Sequence, residues 1–335
     1  MQDKIISNSQ INIFLSQEDY SNAARTLLEL QKQDWPQCAE GYATLKDVRV
    51  KEFQFNGFKI KVQFNAGRIT SSAAKVDAKS ISERKCFLCT ENLPAEQKGI
   101  LYGEDYLILC NPFPIFNEHF TLTHIQHAPQ SIKGSFNKLL SLSKNLSKYY
   151  TVFYNGPRCG ASAPDHMHFQ AGNKFFMPMD NDFHLLRNES GEILIAKEFL
   201  IVAAVDDGLR RFISLESNNK KILIKNFEQI YSLLKEISED EEEPMMNILS
   251  FYEEDYGWRI LIFPREKHRP SHYFQEGDDQ ILLSPASVDL GGVCITPLEK
   301  DFEKITKEDI IEIFEEIIIT RENFERLKDS IKGVG

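Results

Sequence analysis

From Val48 onward apolar residues fall at alternate positions: Phe53 and Phe55, then Phe58, Ile60, Val62 and Phe64 beyond Asn56-Gly57. A period of two on either side of an Asn-Gly pair predicts two short strands joined by a tight turn. Residues 1–45 read instead as a helical lead-in. Ser16-Gln17-Glu18-Asp19 supplies a helix start, Leu27, Leu28, Leu30 and Gln31 continue it, and Trp35-Pro36 stops it. A turn-rich segment from Cys86 then leads to strands at Tyr106–Leu109 and Phe120–Thr123, a helix over Ser131–Tyr150, and strands at Val152–Tyr154 and His166–Ala171. Turn-rich sequence after Phe175 runs to about Gly191. Strands follow at Phe199–Val205 and Arg211–Leu215, then a helix over Lys221–Ser238 and strands at Asn247–Tyr252 and Trp258–Phe263. A last helix spans about Thr306 to Lys328. The same loose order of strands, helix and strands occurs twice. It predicts an α+β architecture of tandem halves, each an antiparallel sheet with helices packed on one face. The expected division is 1–45, 46–190 and 191–335.

Composition narrows the function classes. The 335 residues carry 39 Lys and Arg against 50 Asp and Glu, a formal charge of −11. That excess argues against broad nucleic-acid or anionic-membrane binding and leaves room for a local basic pocket. No apolar run approaches the ~20 residues that cross a bilayer. Met1-Gln2-Asp3-Lys4-Ile5-Ile6-Ser7 lacks a basic, then apolar, secretory pattern. Six cysteines are too few for a disulfide scaffold, so a reducing cytoplasm is expected. The acidic run Glu239-Asp240-Glu241-Glu242-Glu243 reads as a solvated loop.

Candidate chemistry concentrates between Asn155 and Gln170. If His166–Gln170 is extended, its period of two sets His166, His168 and Gln170 on one face and Met167 and Phe169 on the other. A polar row backed by an apolar row suits the floor of an active site. An exposed polar strand face with two incidental histidines is the plainer reading. In the approach, Gly156, Gly160 and Ser162 permit a tight turn whose amides can converge on phosphate oxygens, and Arg158 can add a charged contact. A second cluster starts at Cys86-Phe87-Leu88-Cys89. Two thiolates at this spacing can share a tetrahedral zinc if two more ligands arrive, and His127 and His166 complete a Cys₂His₂ set. A redox pair, or two buried thiols without metal, are the other readings.

Together these segments resemble the histidine-triad (HIT) superfamily. The resemblance runs through Cys86-x-x-Cys89, Asn111-Pro112-Phe113-Pro114, Glu118-His119-Phe120, His127, Gly160-Ala161-Ser162 and His166-x-His168-x-Gln170. Glutamine at position 170, where small members carry a third histidine, is similar to the transferase and phosphorylase branches: galactose-1-phosphate uridylyltransferases, diadenosine tetraphosphate phosphorylases and GDP-L-galactose phosphorylases. Gln63-Phe64-Asn65-Ala66-Gly67-Arg68, the segment Arg259–Pro264, Ser284-Pro285-Ala286 and Gly291-Gly292 lean towards the last of these.

The resemblance implies a HIT-like fold with a catalytic first half and a degenerate second half that completes the pocket. It implies a nucleotidyltransferase acting as a phosphorylase on a nucleoside diphosphate sugar of the GDP-hexose type or a dinucleoside polyphosphate. His168 would be the nucleophile, with Gln170 and His166 beside it. Arg68, Asn155, Arg158, Gly160 and Ser162 would hold substrate, with Lys75 as a further donor and Arg259, Arg265 and Lys267 reaching in from the second half. A carboxamide cannot act as a general acid, which suits a phosphate leaving group. Zinc would be structural and no organic cofactor is expected. Nucleotide and phosphate are the expected partners, nucleic acid and membrane are not, and a homodimer is compatible with the pattern. A nucleotide hydrolase and a non-catalytic nucleotide-binding module are the alternatives.

Overall fold

The computed structural model describes residues 1–69, 76–238 and 242–334. Helix α1 (Ser9–Ser16) starts under Asn8, whose side chain accepts from the amides of Gln10 and Ile11. Asp19 caps α2 (Tyr20–Asp34) in the same way, as the sequence predicts, taking up an amide that the first turn leaves unpaired. Trp35 is extended and α3 (Pro36–Ala43) restarts on Pro36, which needs no N–H there. The expected stop is therefore a corner between two helices. β1 (Arg49–Gln54) and β2 (Lys59–Phe64) form the expected hairpin, with Gly57 at φ +80° in its turn.

Past α4 (Ala78–Glu83) come β3 (Gly99–Tyr102), β4 (Tyr106–Cys110), β5 (His119–His124), α5 (Phe136–Asn145), β6 (Tyr150–Asn155) and β7 (His168–Asn173). Helix α6 (Met179–Ser190) leads to β8 (Gly191–Lys197), β9 (Leu200–Asp206), β10 (Arg211–Ser217), α7 (Lys220–Ser238), β11 (Met246–Glu253) and β12 (Gly257–Pro264). The described chain closes with α8 (Ser287–Leu290), β13 (Val293–Thr296), α9 (Glu299–Lys304), α10 (Lys307–Ile317) and α11 (Arg321–Val334). Ten strands join in one sheet, ordered β3-β4-β5-β7-β6-β11-β12-β10-β9-β8. Each half is a three-strand meander, a helix, and a hairpin whose second strand lies beside the third strand of the meander. The halves meet where β6 pairs antiparallel with β11, Asn155 opposite Asn247, so each half covers an edge of the other. The α+β tandem architecture is thus one continuous sheet.

Side-chain alternation sorts its two faces. Phe169 and Ala171 of β7 join Leu215, Ile248 and Ile260 in a core under Leu27 of α2, Leu139 of α5, Phe227 of α7 and Leu327 of α11. The opposite face packs Phe153, Leu249, Leu261 and Phe263 against Phe183 of α6, Phe314 of α10, and a three-stranded sheet β1-β2-β13. β13 runs parallel to β2, so residues expected in the first half pair with a strand of the second. His168 and Gln170 belong to this second face.

Three of the segments that differ from expectation have a plain structural cause. The turn-rich stretch after Phe175 contains α6, whose buried Phe183 and Leu186 are masked in sequence by Asp180-Asn181-Asp182. The C-terminal helix is two helices, because Ile318 bridges to Arg265 and the Ile319 amide donates to the Pro264 carbonyl at the end of β12. In the acidic run, residues 239–241 lie outside the described residues, and Glu243 is buried rather than solvated. Its carboxylate accepts from Tyr154 Oη at 2.6 Å, the Ile132 amide at 2.7 Å and Ser131 Oγ at 2.9 Å. Among the described residues no helix is long and apolar enough to cross a membrane.

Candidate active site

Three separate segments converge on one cluster: the turn holding Cys86 and Cys89, His127 beyond β5, and His166 before β7. Cys86 Sγ lies 3.2 Å from His166 Nδ1, and Cys89 Sγ lies 3.2 Å from His127 Nδ1 and 3.6 Å from His166 Nδ1. All four ligand atoms are within 4.8 Å of one another. Tetrahedral bonds of about 2.3 Å to sulfur and about 2.0 Å to nitrogen place those atoms about 3.5 Å apart, so the donors fit one metal ion. His166 Nε2 donates to the His124 carbonyl at 2.7 Å, which leaves the Nδ1 lone pair facing the sulfurs. Burial and the adjacent Cys86 thiol push the Cys89 thiol up to about 12, a penalty that a bound cation reverses. The histidines favour a metal over a redox pair or plain buried thiols.

This placement corrects the reading of His166. The Ala163–His166 turn, closed by the His166 amide on the Ala163 carbonyl, carries its ring into the metal cluster, and β7 begins only at His168. What His166 offers its neighbour is backbone: its carbonyl accepts from His168 Nδ1 at 2.8 Å. That bond fixes the tautomer and leaves Nε2 as the unprotonated nitrogen of a buried ring. Desolvation lowers the His168 pKa to about 4. Gln130, unnoticed in the sequence, holds the residue from the other side. Its Oε1 accepts from the His168 amide at 2.8 Å, and its Nε2 donates to the carbonyls of His168 at 3.0 Å and Asn155 at 2.8 Å.

Gln170 is aimed by His119. The Ile115 amide donates to His119 Nδ1 at 3.2 Å, so His119 Nε2 carries the hydrogen and donates to Gln170 Oε1 at 2.9 Å. The Gln170 amide nitrogen is thereby left as the donor end. Burial and the nearby Arg68 hold His119 down to about 3, so it stays neutral.

His168, Gln170, Ser162 and Arg68 wall a cavity of about 530 Å³, the size of a small-molecule site. Much of the remaining wall is apolar, from Trp35, Phe87, Leu88, Leu109 and Phe113. Arg68, Ser162 and Gln170 also line a smaller chamber of about 70 Å³, with Asn155, Gly160, His268, Arg269, Ser284 and Asp289. Arg68 Nη1 donates to the Phe113 carbonyl at 2.6 Å, while its buried Nε has no hydrogen-bond partner among the described residues. Desolvation lowers its pKa to about 10, still cationic at pH 7. A half-buried guanidinium with an unfilled donor between two openings is suited to an anion.

Of the other expected substrate-binding residues, Gly160 and Asn155 line the small chamber. Gly160 sits at φ +92°, and a Cβ there would come within 2.6 Å of the Ala286 Cβ, so the loop lies hard against the second half. Asn155 spends its carbonyl oxygen on Asn247 Nδ2 and the Ser287 amide, both at 2.9 Å. Arg158 turns away from both openings to Glu242, at 3.6 Å, and to the Glu243 carbonyl. The second half reaches the site through His268 and Arg269 instead of the three residues expected. Arg265 is a buried strut, Lys267 pairs with Glu316 on the surface, and Arg259 lines a different cleft with His184. Lys75 lies outside the described residues. His268 and Arg269 carry no spacing signal, and Gln130 lies in an unpatterned loop.

Residues 27–173 match the family model of a domain of unknown function (DUF4922), and residues 192–334 match that of the GDPGP1-like C-terminal domain. No curated protein matches the chain. Among solved structures, yeast Ap4A phosphorylase Apa2 aligns at 16% identity over 87% of this chain and 97% of its own, with a TM-score of 0.56. Its complex with AMP aligns at 16% identity over 84% and 94%, with a TM-score of 0.52. A uridylyltransferase mutant aligns at 12% identity over 85% and 98%, with a TM-score of 0.42. The chain thus resembles the GDPGP1-like proteins in its C-terminal part and, taken whole, shares the fold of yeast Ap4A phosphorylase Apa2.

Proposed function

We propose that the chain is a nucleotidyltransferase acting as a phosphorylase on a nucleoside diphosphate sugar of the GDP-hexose type or a dinucleoside polyphosphate. The observation that carries this reading is the state of His168: Nδ1–H bound to the His166 carbonyl, Nε2 unprotonated, and the ring in the wall of a cavity shared with Arg68, Ser162 and Gln170. The GDPGP1-like match and the phosphorylase fold support the same class. In the first step the Nε2 lone pair attacks the α-phosphorus. The N–P bond forms, the bridging P–O bond breaks, and the leaving phosphate ester departs with that electron pair. An oxygen of the incoming phosphate then attacks the same phosphorus, and the N–P electrons return to Nε2. One difficult displacement becomes two. Arg68, Ser162 and the Gln170 amide stabilise charge on the transferring phosphoryl oxygens.

Residues 46–190 supply this chemistry, residues 191–335 complete the pocket, and residues 1–45 form the lead-in. Cys86, Cys89, His127 and His166 would hold zinc, which with four protein ligands braces the approach to His168 and has no open position for water. A reducing cytoplasm suits the free thiols.

Intact-mass measurement after incubation with a panel of nucleotide sugars and dinucleoside polyphosphates tests the reading. One nucleoside monophosphate should add to the wild type, none to His168→Ala, and added phosphate should discharge the adduct. Discharge by water alone supports a hydrolase, and tight binding without any adduct supports a non-catalytic module. Elemental analysis should find one zinc per chain, lost in Cys89→Ser together with a lower Tm.

A further inference from the structure

The cavity and the small chamber touch at three side chains. His168 lines only the cavity, His268, Arg269 and Ser284 line only the chamber, and Arg68, Ser162 and Gln170 line both. Phosphoryl transfer sets the attacking and leaving atoms roughly in line through the phosphorus. If the α-phosphorus sits among the three shared residues, with His168 on one side, the leaving oxygen emerges on the other, inside the chamber. We propose that this chamber is the subsite for the departing and the entering phosphate, so that the second half supplies the acceptor side through Arg269 and His268. The inference rests on the function proposed above and adds a ligand class to a place within it.

The two openings differ in size and chemistry in the required sense. Trp35, Phe87 and Phe113 make the cavity a place for a base and ribose, whereas about 70 Å³ admits a phosphate group and no nucleoside. The chamber is walled by two arginines. Arg269 is held in place, its Nε donating to Ser284 Oγ at 3.3 Å and its guanidinium lying 4.2 Å from the centre of the Tyr273 ring. The carbonyl of His268 is tied to Arg265 Nη2 at 3.0 Å. Asp289, the acid in the wall, gives its oxygens to the amides of Ala286 and Ile295. Both half-reactions exchange a phosphate oxygen at the same side of the same phosphorus. One subsite therefore serves the phosphate group next to the scissile bond of the ester that leaves and the inorganic phosphate that arrives.

The test uses the full chain and separates the half-reactions. Nucleotidyl-enzyme is formed first, then discharged at a series of inorganic phosphate concentrations. In Arg269→Gln the half-saturating phosphate should rise at least tenfold and adduct formation should slow, while nucleoside monophosphate affinity stays within twofold. Lys267→Gln, on the surface beside Glu316, should match the wild type. Ser284→Ala, which removes one hold on the arginine and a hydroxyl from the chamber wall, should give a smaller rise and serves if Arg269→Gln does not fold. Wild-type phosphate dependence in a folded variant overturns the proposal. If the wild type forms no adduct, the functional reading fails and calorimetry with inorganic phosphate decides the chamber separately. Saturable binding lost in Arg269→Gln upholds it, and no saturable binding overturns it.

Discussion

Gln130 fills the gap where the β6–β7 ladder opens. The last paired residues are Phe153 and Gln170, and beyond them the amide of Gln130 substitutes for a missing backbone partner, serving His168 N–H, His168 C=O and Asn155 C=O. Cutting it back to alanine leaves a buried N–H without a partner and two carbonyls under-satisfied. Such a loss costs about 2–4 kcal/mol by the usual price of stranded buried donors and acceptors. Because the same bonds set where the His168 ring starts, Gln130→Ala should also slow adduct formation roughly 10–100-fold. Nucleotide affinity should change little, since Gln130 does not line the cavity. Urea denaturation and single-turnover mass measurements read the two effects. Gln130→Glu should restore only the bond to the His168 amide, because a carboxylate cannot donate to the carbonyls. Equal adduct rates in all three proteins would remove Gln130 from the positioning of His168.

Elements were legible in the sequence where one face is buried and the other is not. β1, β2 and β7 show a period of two, and Asn56-Gly57 and Asp19 mark the turn and the cap that form. β3 and β8 escaped notice for opposite reasons. One is four mostly buried residues without alternation, the other an edge strand with exposed Ile193. The expected strand starts two residues early, at His166 instead of His168, because a period of two cannot show where a chain leaves the sheet. Helix α6 was hidden by its polar first turn, and that turn carries a testable property. Asp180 is buried against β6, its Oδ1 accepting from Thr151 Oγ1 at 3.0 Å while Oδ2 has no partner among the described residues. Burial pushes its carboxyl up to about 7, against the pull of Arg259 and Lys174. A raised carboxyl binds its proton more tightly in the fold than in the unfolded chain. This contribution is therefore intact below about pH 4 and is lost as pH rises to about 7, by at most about 4 kcal/mol. Burial keeps His184 beside Arg259 below its usual value. Asp180→Asn removes the titration, so the variant should gain stability relative to wild type between pH 5 and pH 8. A pH-independent difference in urea midpoints would show that Asp180 titrates normally.

At the scale of the whole molecule, the seam between β6 and β11 joins the two halves through polar groups inside an apolar sheet. Asn247 Nδ2 donates to Asn155 Oδ1 at 2.9 Å and to the Cys159 carbonyl at 2.8 Å, while its own Oδ1 accepts from Arg265 Nη1 at 2.7 Å. Arg265 further donates to the carbonyls of Pro285, Ile317, Lys267 and His268 at 2.9 to 3.1 Å. One guanidinium thus ties the end of β12 to α10, to the chamber wall and, through Asn247, to the glycine loop that approaches His168. An arginine that reads in sequence as a phosphate donor is here a strut, and composition cannot tell the two apart, since each is a charge beside glycine, proline and serine. Its buried charge is compensated by carbonyl dipoles and by the nearby Asp289 carboxylate, so breaking the set is more costly than its exposed counterparts suggest. Arg265→Leu should cost about 3–5 kcal/mol and widen the chamber. Adduct formation and its discharge by phosphate should both fall, as in Arg269→Gln, but here together with the loss of stability. Because the sheet is continuous across the seam, unfolding should remain one transition in the wild type. If circular dichroism and tryptophan fluorescence, the latter reporting Trp35 on the first half and Trp258 on the second, give two separated urea midpoints in the wild type, the seam does not couple the halves and the reach of Arg265 is local.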